Sequence, residues 1–154
     1  MDPRELYQDI ILDHGRHPRN FHALARATHR ANGHNPLCGD RVTVYLELDG
    51  DKIKDVSFEG RGCAISTASA SLMTEVLKGK TVEAAEELFK EFHARVMGHP
   101  HPGRHPAHGL EDDMERLEPL TGVKAYPARV KCATLAWHAF EAALKDGNAT
   151  VKTE

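Results

Sequence analysis

The feature that most restricts the fold is the run R-V-T-V-Y-L-E-L at residues 41–48. Val42, Val44, Leu46 and Leu48 alternate with other residues, so one face of an extended strand is apolar. Asp49-Gly50-Asp51 is a hairpin signal, and residues 53–58 read as the returning strand. Ile53 is out of phase with Val56 and Phe58, which a β-bulge explains. A short strand over 27–32 precedes the pair.

Helical patterns flank this hairpin. Asp2 is an N-cap candidate with Pro3 at the first helical position. Leu6, Tyr7, Ile10, Ile11 and His14 share one face, Gly15 ends the helix, and Pro18 prevents its resumption. His14, Arg16 and His17 read as a surface cap. After G-R-G-C at 60–63 a helix starts at Ala64. Its small residues (Ala64, Ser66, Ala68, Ser69, Ala70, Ser71) indicate close packing on a neighbour, and Lys78-Gly79 ends it. Thr81 caps the next helix, whose stripe is Val82, Ala85, Leu88, Phe89, Phe92 and Val96. A last helix covers 133–145, with Ala136, Phe140 and Leu144 in step, His138 packing beside Trp137, and Gly147 as the stop. Strands grouped together and helices grouped together define an α+β class. No internal repeat is present.

Residues 97–122 differ in kind. G-H-P-H-P-G-R-H-P-A-H-G carries His99, His101, His105 and His108 and three prolines, a density that excludes regular structure. An acidic helical turn over 110–117 follows. The stretch reads as a His/Pro-rich insertion and a partner-facing loop rather than a metal site. The organisation expected is one domain over 1–147, with a polar C-terminal tail at 148–154.

At 154 residues, 40% hydrophobic and 28% charged, the chain has a globular composition large enough for a core without disulfides. A formal charge of −3 gives no reason to expect nucleic acid or an anionic membrane as partner. No stretch approaches the ~18 apolar residues of a membrane span. M-D-P-R-E-L-Y has no signal-peptide character, so a cytoplasmic, reducing location is expected. No glycine-rich phosphate-binding motif appears.

The three cysteines, Cys38, Cys63 and Cys132, are odd in number and far apart, which is not a disulfide framework. Buried hydrophobe, catalytic thiol and metal ligand all remain open, and composition alone favours the first. Position adds information. Cys63 and Cys132 each immediately precede a predicted helix, where unpaired N–H groups and the helix dipole favour thiolate. Asp40 follows Cys38 across Gly39, which lets the chain bend so both face one point. Cys38, Asp40, Cys63 and Cys132 then supply three sulfurs and one oxygen, the number for tetrahedral Zn²⁺ or an iron site. Four anionic donors leave a net −2 around a divalent ion. Arg41, Arg61, Arg129 and Lys131 flank the ligand segments, either to offset that charge or as ordinary surface cations.

These segments match a known pattern. N-P-L-C-G-D (35–40), G-R-G-C-A-I-S-T-A-S-A-S-L-M (60–73), R-V-K-C-A-T-L-A-W (129–137) and the opening E-L-Y-Q-D-I-I-L-D-H-x-R-H-P-R-N-F resemble the NifU-N/IscU-like family of iron–sulfur cluster assembly proteins. The resemblance covers nearly the whole chain. It implies a SufE/NifU-like α+β fold, with a small antiparallel sheet of about three strands packed on helices and the cysteines gathered at one exposed end. IscU-type scaffolds have a histidine just before the third cysteine, where this chain has Lys131. A protonated lysine offers a metal no lone pair. That departure and the 97–122 insertion resemble the SufU-type branch. For that branch the resemblance implies one Zn²⁺ on Cys38, Asp40, Cys63 and Cys132. It implies sulfur transfer to Cys38 from a SufS-type, pyridoxal-phosphate-dependent cysteine desulfurase, one of whose histidines can replace Cys38 on the metal, and delivery to other cluster assembly proteins. Arg129 is a candidate to orient Asp40 or touch the partner. The alternative is an IscU-type scaffold on which a transient [2Fe–2S] cluster is built.

Overall fold

The hairpin is the centre of the sheet. The protein's structure, a computed structural model, describes residues 3–37, 39–98, 110–145 and 148–152, with side chains over 8–37, 39–98 and 110–145. In chain order the elements are α1 (Pro3–Arg16), β1 (His29–Asn35), β2 (Asp40–Asp49), β3 (Lys52–Arg61), α2 (Ala64–Leu77), α3 (Val82–Val96), α4 (Glu111–Leu117), a 3-10 helix (Glu118–Ala125), α5 (Pro127–Lys145) and β4 (Asn148–Lys152). The architecture is α+β. β1, β2 and β3 form the expected antiparallel sheet. β4 adds a fourth strand, parallel to β1, giving the order β3-β2-β1-β4. The tail carries no alternating apolar pattern, so this pairing has no sequence signal; backbone hydrogen bonds along the β1 edge supply it.

The bulge is present. Glu47 pairs with Asp55 and Leu48 with Ile53, so Lys54 is the extra residue on β3. It returns Ile53 to the buried face with Val56 and Phe58. Ala31, Val42, Val44 and Leu46 complete that face beneath α2 and α5. At the far end of β3, Gly60 has φ +149°, and a Cβ there would run into the carbonyl oxygen of Arg41. L-residues rarely adopt such a backbone, so Gly60→Ala is expected to cost about 1–3 kcal/mol. The check is urea unfolding, with a lowered midpoint at unchanged slope.

The small-residue face of α2 packs as expected. Ser69 Oγ donates to the Ala133 carbonyl of α5 and accepts the indole N–H of Trp137 at 3.2 Å. Ser71 Oγ lies 2.7 Å from His14 Nδ1 and accepts the Arg19 N–H. His14 is therefore an interior anchor of α1, only 6% exposed, and not a surface cap. Its position on the apolar face of α1 outweighs its polarity because Ser71 satisfies it. Gly15 does not stop α1, which runs to Arg16; its missing side chain lets the helix approach Ala64 of α2.

The α3 stripe Ala85, Leu88, Phe89, Phe92 and Val96 is buried, and Thr81 caps the helix through the Ala84 N–H. The acidic turn of the insertion is α4, and it belongs to the core. Leu110, Met114, Leu117, Leu120 and Val123 are buried. Lys80–Asp113 and Arg116–Glu75 ion pairs tie it to the body at 2.6 and 3.0 Å. His99, His101, His105 and His108 lie outside the described residues.

Boundaries differ from the sequence expectation: α1 runs past Gly15 to Arg16, β1 runs 29–35 rather than 27–32, and the start of α5 is the largest difference. α5 starts at Pro127, not near 133. Proline is favoured at the first helical position, and the N–H groups of Arg129 and Val130 both bond the Tyr126 carbonyl. Cys132 thus sits inside the second turn of α5. Cys63 is at a helix start as expected, as the N-cap of α2.

Candidate metal centre

The site is built at the end of the sheet where β2 begins and β3 ends. Asn35, fully buried, closes β1. Its Oδ1 accepts the Leu37 N–H at 3.2 Å, and its carbonyl accepts the Gly39 N–H at 2.8 Å. Gly39 turns the chain at φ +75°, and Asp40 opens β2 opposite Asn35. Cys38, in this connection, lies outside the described residues. Asp40 is 3% exposed. Its Oδ1 accepts the Cys63 N–H at 3.2 Å, and its Oδ2 is 4.0 Å from Cys63 Sγ. A side chain at Gly62 would lie 2.9 Å from Asp40 Oδ1 and overlap Ser66 Oγ, so the G-R-G-C glycine makes room for the carboxylate.

Cys63 Sγ receives the Ser66 N–H at 3.4 Å, the N-cap bond of α2. The hydroxyl of Ser66 donates back to the Cys63 carbonyl at 3.0 Å. From the other side, α5 presents Cys132, whose Sγ is 3.8 Å from the Ala128 carbonyl one turn earlier. A carboxylate oxygen of Asp40 and the sulfurs of Cys63 and Cys132 all lie within 4.8 Å of one another. Burial, then the facing Cys63 and Asp40, push the Cys132 thiol up. Anionic donors gathered this closely cannot all ionise without a cation among them.

Arg129 supplies part of that cation. Its hydrogen bond to Cys132 and the charges of Cys63 and Cys132 raise its pKa. Arg129, the candidate to orient Asp40 or touch a partner, lies against both thiols. Arg41 and Arg61 are exposed and face each other in register at the same sheet end. Lys131 is half-buried beside Cys132 and is not among the clustered donors. Ser66 and Asn35 were missed. The C-x-x-S spacing, with a capping residue three before a serine N–H, was the available signal for Ser66.

The donor set fits a small thiophilic divalent ion. Tetrahedral zinc, with bonds of about 2.0–2.3 Å, spaces its ligand atoms about 3.3–3.8 Å apart, so slight side-chain closure completes the triangle. Asp40 and Cys132 are buried, and Cys63 is half-exposed, which keeps one side open.

The fold is an α+β domain that gathers a carboxylate and two thiols, a donor set able to hold a metal ion, at one end of its sheet. Residues 6–133 match the model of the NifU-like N-terminal domain family. The chain is 42% identical over 136 residues, covering 88% of it and 87% of the relative, to the zinc-dependent sulfurtransferase SufU of Bacillus subtilis. It is 37% identical over 140 residues to the iron–sulfur cluster assembly scaffold protein IscU of Streptococcus pyogenes, covering 91% and 83%. A crystal structure from Fervidobacterium islandicum, described as a SUF-system cluster assembly scaffold, superposes with a TM-score of 0.80 at 37% identity, covering 92% of this chain and 98% of that one. The chain belongs to the NifU-N/IscU-like family of iron–sulfur cluster assembly proteins, in its SufU-type branch. Among the described residues no helix is long and apolar enough to cross a membrane.

Proposed function

We propose that the chain is a cytoplasmic, zinc-bound sulfurtransferase that accepts persulfide sulfur on Cys38 from a SufS-type cysteine desulfurase and relays it to other cluster assembly proteins. The observation that carries this reading is the convergence of Cys63 and Cys132 on Asp40, which follows Cys38 by two residues in the chain. The name of the Bacillus relative supports the zinc and the sulfurtransferase activity. Bound Zn²⁺ would keep its thiolate ligands deprotonated at neutral pH.

The chain's own residues do the rest. Asp40, held by the Cys63 N–H, and Cys132, held in α5, fix the buried side of the site. The Ser66 N–H bonds the Cys63 sulfur, and Arg129 offsets the excess negative charge at both sulfurs. The Cys38 thiolate attacks the outer sulfur of the donor's cysteine persulfide. One S–S bond forms on Cys38, the donor's S–S bond breaks, and the donor cysteine leaves as thiolate. The sulfane sulfur changes carrier with no net oxidation.

Four measurements test this. Anaerobically purified protein should be colourless with one zinc per chain, and it should raise the turnover of its desulfurase partner. Cys38→Ser should retain the fold and take up no sulfur label from the donor; label arriving on Cys63 or Cys132 contradicts the assignment. Arg129→Ala should slow sulfur transfer, and an unchanged rate removes Arg129 from the site. The similarity to IscU supports a second reading, in which a [2Fe–2S] cluster is assembled as cargo. A brown iron–sulfide chromophore would favour it. Lys131, where a fourth scaffold ligand would be expected from the resemblance, weighs against it.

A further inference from the structure

The sulfur site leaves the opposite flank of α5 unused. A cleft of about 390 Å³ opens there between α3 and α5, lined among others by Glu86, Phe89, His93, His138 and Glu141. We propose that this cleft is a second metal site, in which His93 and His138 bind a divalent first-row transition ion.

The geometry is the first argument. The two imidazoles come from different helices, with ring centres 5.5 Å apart and planes at 79°. Two imidazoles sharing one tetrahedral ion at about 2.0–2.1 Å have ring centres roughly 5 Å apart. The observed separation is compatible with a shared ion, and it also falls in the ordinary edge-to-face range, so the metal titration decides between them. Phe89 sets its ring edge-to-face against both, at 5.7 Å from His93 and 5.4 Å from His138. That contact holds the pair in place before any ion arrives.

The surrounding chemistry is the second argument. Glu141 follows His138 by three residues on α5, so the two share a helix face. Its charge acts on His138. Lys145 holds its carboxylate at 2.8 Å, but that pair is largely exposed, contributes little and can be exchanged. Two imidazoles suit nickel, zinc, copper or ferrous iron, with Glu141 adding negative charge nearby rather than a clustered donor atom. The cleft is open, so water can complete the coordination. His138 lies six residues beyond Cys132, about 9 Å along the α5 axis, so the two sites do not share donors.

Nickel(II) is the probe. The metal already in the purified protein is measured first, and Ni²⁺ is then titrated by calorimetry. We expect one further equivalent to bind. His93→Gln and His138→Gln should each weaken it about tenfold or more, while a variant with His99, His101, His105 and His108 all changed to Asn binds as the parent does. Circular dichroism of each variant reports its fold. Paramagnetic broadening by Ni²⁺ in the NMR spectrum of the unmodified protein needs no variant, and it should centre on α3 and α5 around His93 and His138. Three results overturn the proposal: no additional equivalent, binding unaffected by either glutamine substitution, or broadening confined to residues 99–109. In any of these cases the two histidines are aromatic packing on Phe89.

Discussion

Cys132→Ser is expected to leave the purified protein almost without metal while preserving its fold. Cys132 is 1% exposed and lies within the same 4.8 Å cluster as Asp40 and Cys63. A serine fits the space, and its hydroxyl can donate to the Ala128 carbonyl that the thiol faces. What it cannot supply is a thiolate. Groups that merely support a metal ligand typically cost about 10–100-fold in affinity when removed, and loss of a ligand sulfur should exceed that. Elemental analysis after anaerobic purification gives the stoichiometry, and competition with a chromophoric chelator gives the affinity. The change should also separate metal from stability. An ion that binds only the folded state stabilises it, so a strong chelator should lower the melting temperature of the parent protein and leave that of Cys132→Ser unchanged. Full zinc occupancy in the variant would remove Cys132 from the centre.

Trp137→Ala should be the most destabilising single change outside the metal centre, at about 3–5 kcal/mol in urea unfolding. Trp137 is fully buried. It stacks on Phe89 with ring centres 5.8 Å apart and on Phe92 at 4.8 Å, and its N–H bonds Ser69. Alanine loses this area and leaves a cavity between α3 and α5. Trp137→Phe should cost distinctly less, because a phenyl ring keeps most of the buried area against Phe89 and Phe92, and the lost N–H leaves Ser69 Oγ still bonded to the Ala133 carbonyl. The site should feel the difference. Ser69 lies on the helix that Cys63 caps, and Ala133 adjoins Cys132, so the indole braces the two helices that carry the thiols. Metal affinity should therefore fall in Trp137→Ala and remain near the parent value in Trp137→Phe.

Much of this could be read from the chain. The alternation at Val42, Val44 and Leu46 announced β2, and the phase error at Ile53 announced the bulge, because side-chain period in a strand is a local property. The Cys63 cap and the α3 stripe were legible for the same reason. The start of α5 was not, because its first turn, P-A-R-V-K, carries no apolar stripe and proline is as common in turns as at a first helical position. The role of His14 was not legible either, since a histidine on an apolar helix face is buried only if a partner such as Ser71 meets it.

The amino-acid sequence by itself determined the local elements, the family pattern and the set of donors. The tertiary structure alone decided that Asp40, Cys63 and Cys132 stand together, that Arg129 faces the thiols, that 148–152 joins the sheet, and that His93 meets His138. The reason is physical. Helical and strand periodicity arise from neighbours along the chain, whereas each of these four outcomes depends on the relative placement of elements distant in sequence, set by how the α2–α5 contact and the sheet bury their shared core.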